Sequence, residues 1–332
     1  MPGVGVDHAE LMTCCHLSDS IHVILFWSAF VQNASHVFTH GERAMYAITG
    51  ITGQVGGALA RELLASGDAV RAVVRDTTRA AAWAARGCEV ATAFMEDPSS
   101  LAAAFTGARG VFILLPPVFD PAPGFPEARK VIEAVSAALL KARPEKVVCL
   151  STIGAQADET NLLTQLTLME QALREMPMPV TFLRPGWFIE NAAWDVASAR
   201  DGGVVASYLQ PLDKPVPMVA TADVGRVATE LLRQTWSGVR VVELEGSRRV
   251  SPNDLALAFA RVLGRDVRAE AVDRRTWDAL FRAQGMKHPR PRTRMLDGFN
   301  EGWIDFESGP DEILRGHVAL DTVLGELVSR AV

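Results

Sequence analysis

Three glycines, Gly50, Gly53 and Gly56, recur at every third position in Gly50-Ile51-Thr52-Gly53-Gln54-Val55-Gly56. The run Tyr46–Thr49 before them is short and apolar. An amphipathic pattern follows at once, with Val55, Leu59 and Leu63 spaced by four and Gly67 as its stop. Glycines let a backbone approach a pyrophosphate closely, and the unpaired N–H groups of the first helical turn then meet the anion. Gly50, Thr52, Gly53, Gln54, Val55 and Gly56 are therefore candidate ligands of a dinucleotide. The spacing differs by one residue from Gly-x-Gly-x-x-Gly, and a turn needed only for helix–strand packing is the alternative.

Ala69–Val74 reads as the next strand, and Arg75 follows it, with Asp76 beside it and Arg79 one turn on. An acid at this point bonds the ribose 2′-hydroxyl of NAD, whereas an arginine accommodates the 2′-phosphate of NADP. The expectation is NADP(H) in preference to NAD(H), held by Arg75 and Arg79. Asp76 complicates it, and a solvated arginine at a strand end is the alternative.

What the chain lacks bears equally on mechanism. Its 332 residues include two tyrosines, Tyr46 and Tyr208, and the residues four beyond them are Gly50 and Leu212. The Tyr-x-x-x-Lys acid that protonates a nascent alkoxide in short-chain dehydrogenases is therefore absent. The remaining catalytic candidates, Ser151 and Thr152, can bond a substrate but are poor acids; Ser151 serves equally well to satisfy loose backbone groups. A quinone-like acceptor suits such a site, because its reduced product is a stabilised phenolate that takes its proton from water. Trp187 and Phe188 either wall an acceptor pocket or pack a small domain.

The elements that must position these groups alternate. Cys88–Phe94 reads as a third strand, Pro98–Phe105 as a helix, Gly110–Leu115 as a fourth strand, Ala128–Leu140 as a helix and Lys146–Leu150 as a fifth strand. That predicts an α/β fold, a doubly wound parallel Rossmann sheet with a smaller C-terminal α+β substrate region. Residues 45–185 form the core, 221–246 return to it, and 186–220 with 247–332 make the cap. Ligands lie beyond the carboxyl ends of such strands. Adenine is thus expected near Phe94 and Met95, and the nicotinamide near Leu115, Pro116, Ser151 and Thr152. Pro116–Pro126 holds five of the 18 prolines and is either a semi-rigid lip over the nicotinamide or a plain surface connection. Trp277–Gly285 reads as a helix. Phe299, Trp303 and Phe306 either close the pocket or form a small core, and the basic cluster Lys287–Arg294 reads as a solvated loop.

Residues 1–44 differ from the rest. They hold five of the seven histidines, no lysine and one arginine, Arg43. Cys14, Cys15 and His16 are adjacent and lack paired ligand spacing, so no metal site is expected. The apolar run Ile21–Val31 is about half the ~20 residues that cross a bilayer. The expectation is an atypical extension, disordered or foreign to a functional chain that begins at Met45. A net charge of −6 argues against nucleic acid and anionic membrane as partners. Four cysteines fit a reducing, cytoplasmic compartment.

Thr49–Gly56, the strand end Val73-Val74-Arg75-Asp76, the segment Thr181–Asn191 with its Arg184-Pro185-Gly186-Trp187, and Asp223-Val224-Gly225 together resemble the NmrA-like group of atypical short-chain dehydrogenase/reductases. The resemblance runs from Met45 to about residue 300. It implies a Rossmann domain for NAD(P)(H) beneath a smaller C-terminal region. It also implies one of two activities. The first is an NADPH-dependent reductase passing hydride directly to a quinone-like or other small electrophilic acceptor. The alternative is a non-catalytic NADP(H) redox sensor that regulates a protein partner. Two positions depart from the family: Phe94 stands where an Asp is common, and Leu166 stands where some members carry His or Lys.

Overall fold

The computed structural model describes residues 43–331. The readings made of the N-terminal stretch, with the start at Met45 and the absence of a metal site there, lie outside the described residues.

The strands of the main sheet are short apolar runs. They are β1 (Met45–Thr49), β2 (Ala69–Val74), β3 (Glu89–Thr92), β4 (Gly110–Leu114), β5 (Lys146–Leu150) and β6 (Val180–Pro185). Further along the chain come β7 (Trp187–Phe188), β8 (Val204–Ser207), β9 (Met218–Val219), β10 (Val239–Glu245), β11 (Arg268–Ala271) and β12 (Leu314–Arg315). Eight of them form one parallel sheet in the order β12-β10-β6-β5-β4-β1-β2-β3. The chain winds outward through β2 and β3, then returns past β1 to β4. Ile48 of β1 therefore pairs with Ala72 on one side and Phe112 on the other. That reversal between β1 and β4 is the crevice where ligands of open α/β sheets bind.

Alternate residues of each strand feed opposite faces. Ile48, Phe112 and Val148 pack under α1 (Gln54–Ala65), whereas Ala47, Val111, Val147 and Phe182 pack on the other side. A one-turn helix, α2 (Ala81–Ala84), connects β2 to β3. The second face is covered by α3 (Pro98–Phe105), α4 (Pro126–Ala142) and α5 (Thr164–Arg174) through Leu101, Val135 and Met169. Asp97 caps α3 by accepting the N–H groups of Ser99 and Ser100, and Pro98 occupies the first turn, where no N–H is needed.

The cap carries α6 (Val196–Gly202), α8 (Pro252–Leu263), α9 (Trp277–Ala283), α10 (Arg290–Glu301) and α11 (Leu320–Arg330); α7 (Thr221–Arg233) instead lies beside α1. Gly225 makes that crossing possible, since a Cβ there would sit 2.5 Å from Ala58 Cβ and 2.7 Å from the Leu59 nitrogen. Two small parallel pairs, β8–β11 and β7–β9, complete the cap. Trp277, Phe259, Phe281 and Phe299 are buried in its own core, with Trp303 and Phe306 packed against it. The aromatics read as pocket-closing or core-forming thus take the second role. No helix among the described residues is long and apolar enough to cross a membrane.

Some boundaries differ from the sequence reading. The third strand is shorter than Cys88–Phe94, because the Cys88 N–H closes the preceding turn on Trp83 and the Phe94 N–H donates to Ser100 Oγ. The basic cluster read as a solvated loop enters α10 at Arg290. Pro291 falls in the first turn, where it initiates the helix.

Candidate functional site at the switch point

The glycine turn is built by steric exclusion. Gly50 has φ +68°, and the Gly53 N–H donates to its carbonyl at 2.9 Å. A Cβ on Gly56 would meet that same carbonyl oxygen at 2.4 Å. Helix α1 has no side-chain cap and no acid in its first turn, so its leading N–H groups face outward for an anion. Thr49 fixes the turn to the neighbouring strand: its hydroxyl donates to the Phe112 carbonyl at 3.1 Å and accepts the Leu114 N–H at 2.8 Å. On the other side the half-buried Glu190 accepts both the N–H and the hydroxyl of Thr221, at 2.8 and 2.5 Å. Thr221 Oγ1 lies 3.3 Å from Gln54 Oε1. Burial pushes the Glu190 carboxyl up, against the pull of the Thr221 bonds. The adjacent Asn191 is exposed.

At the end of β2, Arg75 and Arg79 are exposed and take part in no ion pair among the described residues. The Asp76 carboxylate is occupied: it accepts the N–H and hydroxyl of Thr78 at 2.9 and 2.7 Å, and those bonds hold it below the usual carboxylate range. Phe94 follows β3 with its ring 52% exposed beside half-buried Met95. Leu115 is buried and Pro116 half-buried at the end of β4.

The hydroxyl of Ser151, after β5, donates to Glu170 Oε1 at 2.5 Å. Glu170 in turn receives two bonds from Arg184 at 2.8 and 2.7 Å. Burial alone would raise the Glu170 carboxyl, but Arg184 and Ser151 outweigh it and hold the group low. Ser151 thus spends its proton on a buried carboxylate, and Thr152 is half-buried beside it without a side-chain bond to the described residues. Arg184, 2% exposed, also reaches Glu307 at 2.8 Å and lies 3.7 Å from Glu243. A polar cleft of about 370 Å³ opens over this group, lined by Thr164, Thr167, Gln171 and Arg174. The sequence gives no sign of Arg184's partners, which lie 14, 59 and 123 residues away with no spacing rule.

Trp187 meets Phe299 edge-on at 5.3 Å in the cap core, and Phe188 packs toward the α1 side of the sheet. The proline-rich segment is pinned at both sides. Asp120 accepts the N–H groups of Lys287 and His288 at 2.8 and 2.7 Å, and Gln165 donates to the Val118 carbonyl.

A sequence model of the NmrA-like family matches residues 43–288. The chain is 26% identical over 281 residues to an NAD(P)H azoreductase of Xenophilus azovorans, covering 84% of this chain and 91% of that protein. It is 27% identical over 291 residues to quinone oxidoreductase 2 of Escherichia coli, covering 86% and 98%. Among solved structures, the triphenylmethane reductase of Citrobacter sp. complexed with NADP(H) superposes with a TM-score of 0.68 at 20% identity, covering 87% and 100%.

Proposed function

The chain belongs to the NmrA-like family, and from that premise we propose that it is an NADPH-dependent reductase of quinone-like or other small electrophilic acceptors. One observation carries the reading: an uncapped helix start behind Gly50, Gly53 and Gly56, with two exposed arginines at the end of the next strand that pair with no acid among the described residues.

The residues fit the cofactor. Space at Gly56 is so restricted that only a side-chain-free backbone lets α1 begin there, and the outward N–H groups of Gln54 and Val55 suit a pyrophosphate. Arg75 and Arg79 suit a 2′-phosphate, because Asp76, the acid that would favour NAD, is engaged with Thr78. Phe94 offers an aromatic face for adenine in place of an acid. When bound, the cofactor supplies a hydride. The protein's part is orientation and exclusion of water. Leu115 and Pro116 bound the site on the β4 side, and the segment pinned by Asp120 walls it. Glu170 holds Ser151, so Thr152 is the free hydroxyl able to orient an acceptor oxygen. The activities of the azoreductase and quinone oxidoreductase relatives support a small-molecule acceptor. Buried, unpaired Cys88 and Cys149 suit a reducing, cytoplasmic setting.

The test follows NADPH oxidation by the purified full chain against a panel of quinones and azo compounds. Turnover that Gly56→Val abolishes, by displacing the turn, is the expected result. Tight binding that distinguishes NADPH from NADP without turnover of any acceptor overturns the reading in favour of a cofactor sensor.

A further inference from the structure

Four cations lie between residues 287 and 294, and they are not equivalent. Arg294 is ion-paired to Asp297 and Glu159, each at 3.3 Å. Arg292 is half-buried in the first turn of α10 and has no carboxylate partner among the described residues. Its guanidinium lies 4.5 Å over the Phe281 ring and 6.0 Å from that of Trp194, and its one hydrogen-bond contact among the described residues is Met286 Sδ at 3.8 Å. Burial pulls the group below the usual arginine range, and Tyr208 gives a smaller opposing effect. A guanidinium held this way, on aromatic rings and short of hydrogen-bond acceptors, is poised for an anion from outside.

Its neighbours come from the segments that follow β4, β5 and β7. Trp194, 70% exposed, follows β7; Phe119, 56% exposed, lies in the segment after β4 and meets Trp194 edge-on at 6.4 Å. The Leu162 N–H, from the segment after β5, donates to the Pro291 carbonyl. Asp120, next to Phe119, holds the amides of Lys287 and His288. Three segments leaving the carboxyl ends of sheet strands thus converge on Arg292, at the end of the sheet where acceptor and cofactor must meet. The two exposed aromatic rings are free to stack on a flat acceptor while the guanidinium takes a charge at its edge.

We propose that Arg292 selects anionic aromatic acceptors, ring compounds carrying a carboxylate or sulfonate, with Trp194 and Phe119 as the stacking surface. This rests on the reductase reading, and its test is separable from it. Naphthoquinone and naphthoquinone sulfonate are titrated against the full-length protein by quenching of tryptophan fluorescence, and both are then offered as acceptors with NADPH. The wild type is expected to bind the sulfonate about 10- to 100-fold more tightly than the neutral quinone, as one charge-assisted pair allows. Arg292→Gln removes that advantage, with neutral quinone and NADPH affinities within about 2-fold of wild type, while Arg292→Lys keeps part of it. If Arg292→Gln does not fold, loss of the wild-type preference on raising salt toward about 1 M stands in for it. Equal binding of the two quinones by the wild type, or a preference that survives Arg292→Gln, overturns the proposal. Binding that follows the expected pattern with neither quinone reduced leaves the proposal standing and counts against the reductase reading instead.

Discussion

Arg75 and Asp76 sit side by side at the end of β2 and have opposite fates, because Thr78 takes the acid and no acid among the described residues takes the base. Arg75→Ser should therefore weaken NADPH binding by about 10- to 100-fold, the worth of one charge-assisted contact, and leave NADH binding unchanged in a fluorescence titration. Equal losses for both cofactors would count against a 2′-phosphate contact. Asp195 is a second residue whose setting shows itself through titration. Burial alone raises its carboxyl from 3.8 to about 6. A raised acid favours the folded state below pH 3.8 and loses that advantage as pH rises through 6. Asp195→Asn should then stabilise the protein by about 1–2 kcal/mol at pH 7, with the gain shrinking toward pH 4; urea unfolding across that range measures it. Glycine turn and Arg75 were legible in sequence because local spacing defines them. Glu170, the partner of Ser151, was not, since a lone acid at the end of Leu166–Met169 carries no periodic signal.

The strands were the easiest elements to read. Both their faces are covered, so they appear as unbroken apolar runs such as Gly110–Leu114. The start of α10 was misread because Pro289 and Pro291 look like breakers until one of them proves to occupy the first helical turn. Two elements meet where Gly225 of α7 crosses α1 at Ala58 and Leu59. Gly225→Val should cost about 1–3 kcal/mol by overpacking. Because α1 carries the glycine turn, it should also weaken NADPH binding, and a denaturation curve with a cofactor titration checks both. The segment 116–126 is held to the cap by Asp120. Asp120→Ala should speed hydrogen exchange there and raise the KM for the acceptor without changing cofactor affinity.

Across the whole molecule, Arg184 is the main polar junction, joining β6 to α5, to Glu243 of β10 and to Glu307 in the C-terminal region. Arg184→Met takes from buried Glu170 its two-bond partner, leaving it Arg174 at 3.1 Å and the Ser151 hydroxyl, and should cost about 2–3 kcal/mol at neutral pH. Glu170 is held low in the native state, so its contribution is present above pH 4.5 and lost as pH falls through its folded value. The deficit of the variant should accordingly narrow on acidification, and paired thermal melts would record it. The domain-level arrangement was harder to foresee than the core, because β12 joins the sheet edge through only two residues. That small strand nonetheless has a large consequence. Residues 246–313 leave the sheet after β10 and re-enter it at the adjacent strand, where Leu244 pairs with Leu314 and Asp223 secures the following amides of His317 and Val318. The two ends of this excursion are fixed about one strand spacing apart, ~4.8 Å, whatever lies between them. The stretch that carries Arg292 therefore starts and finishes on neighbouring strands, so exchanges at its exposed positions can reshape the acceptor side while its buried aromatics and the sheet strands stay as they are.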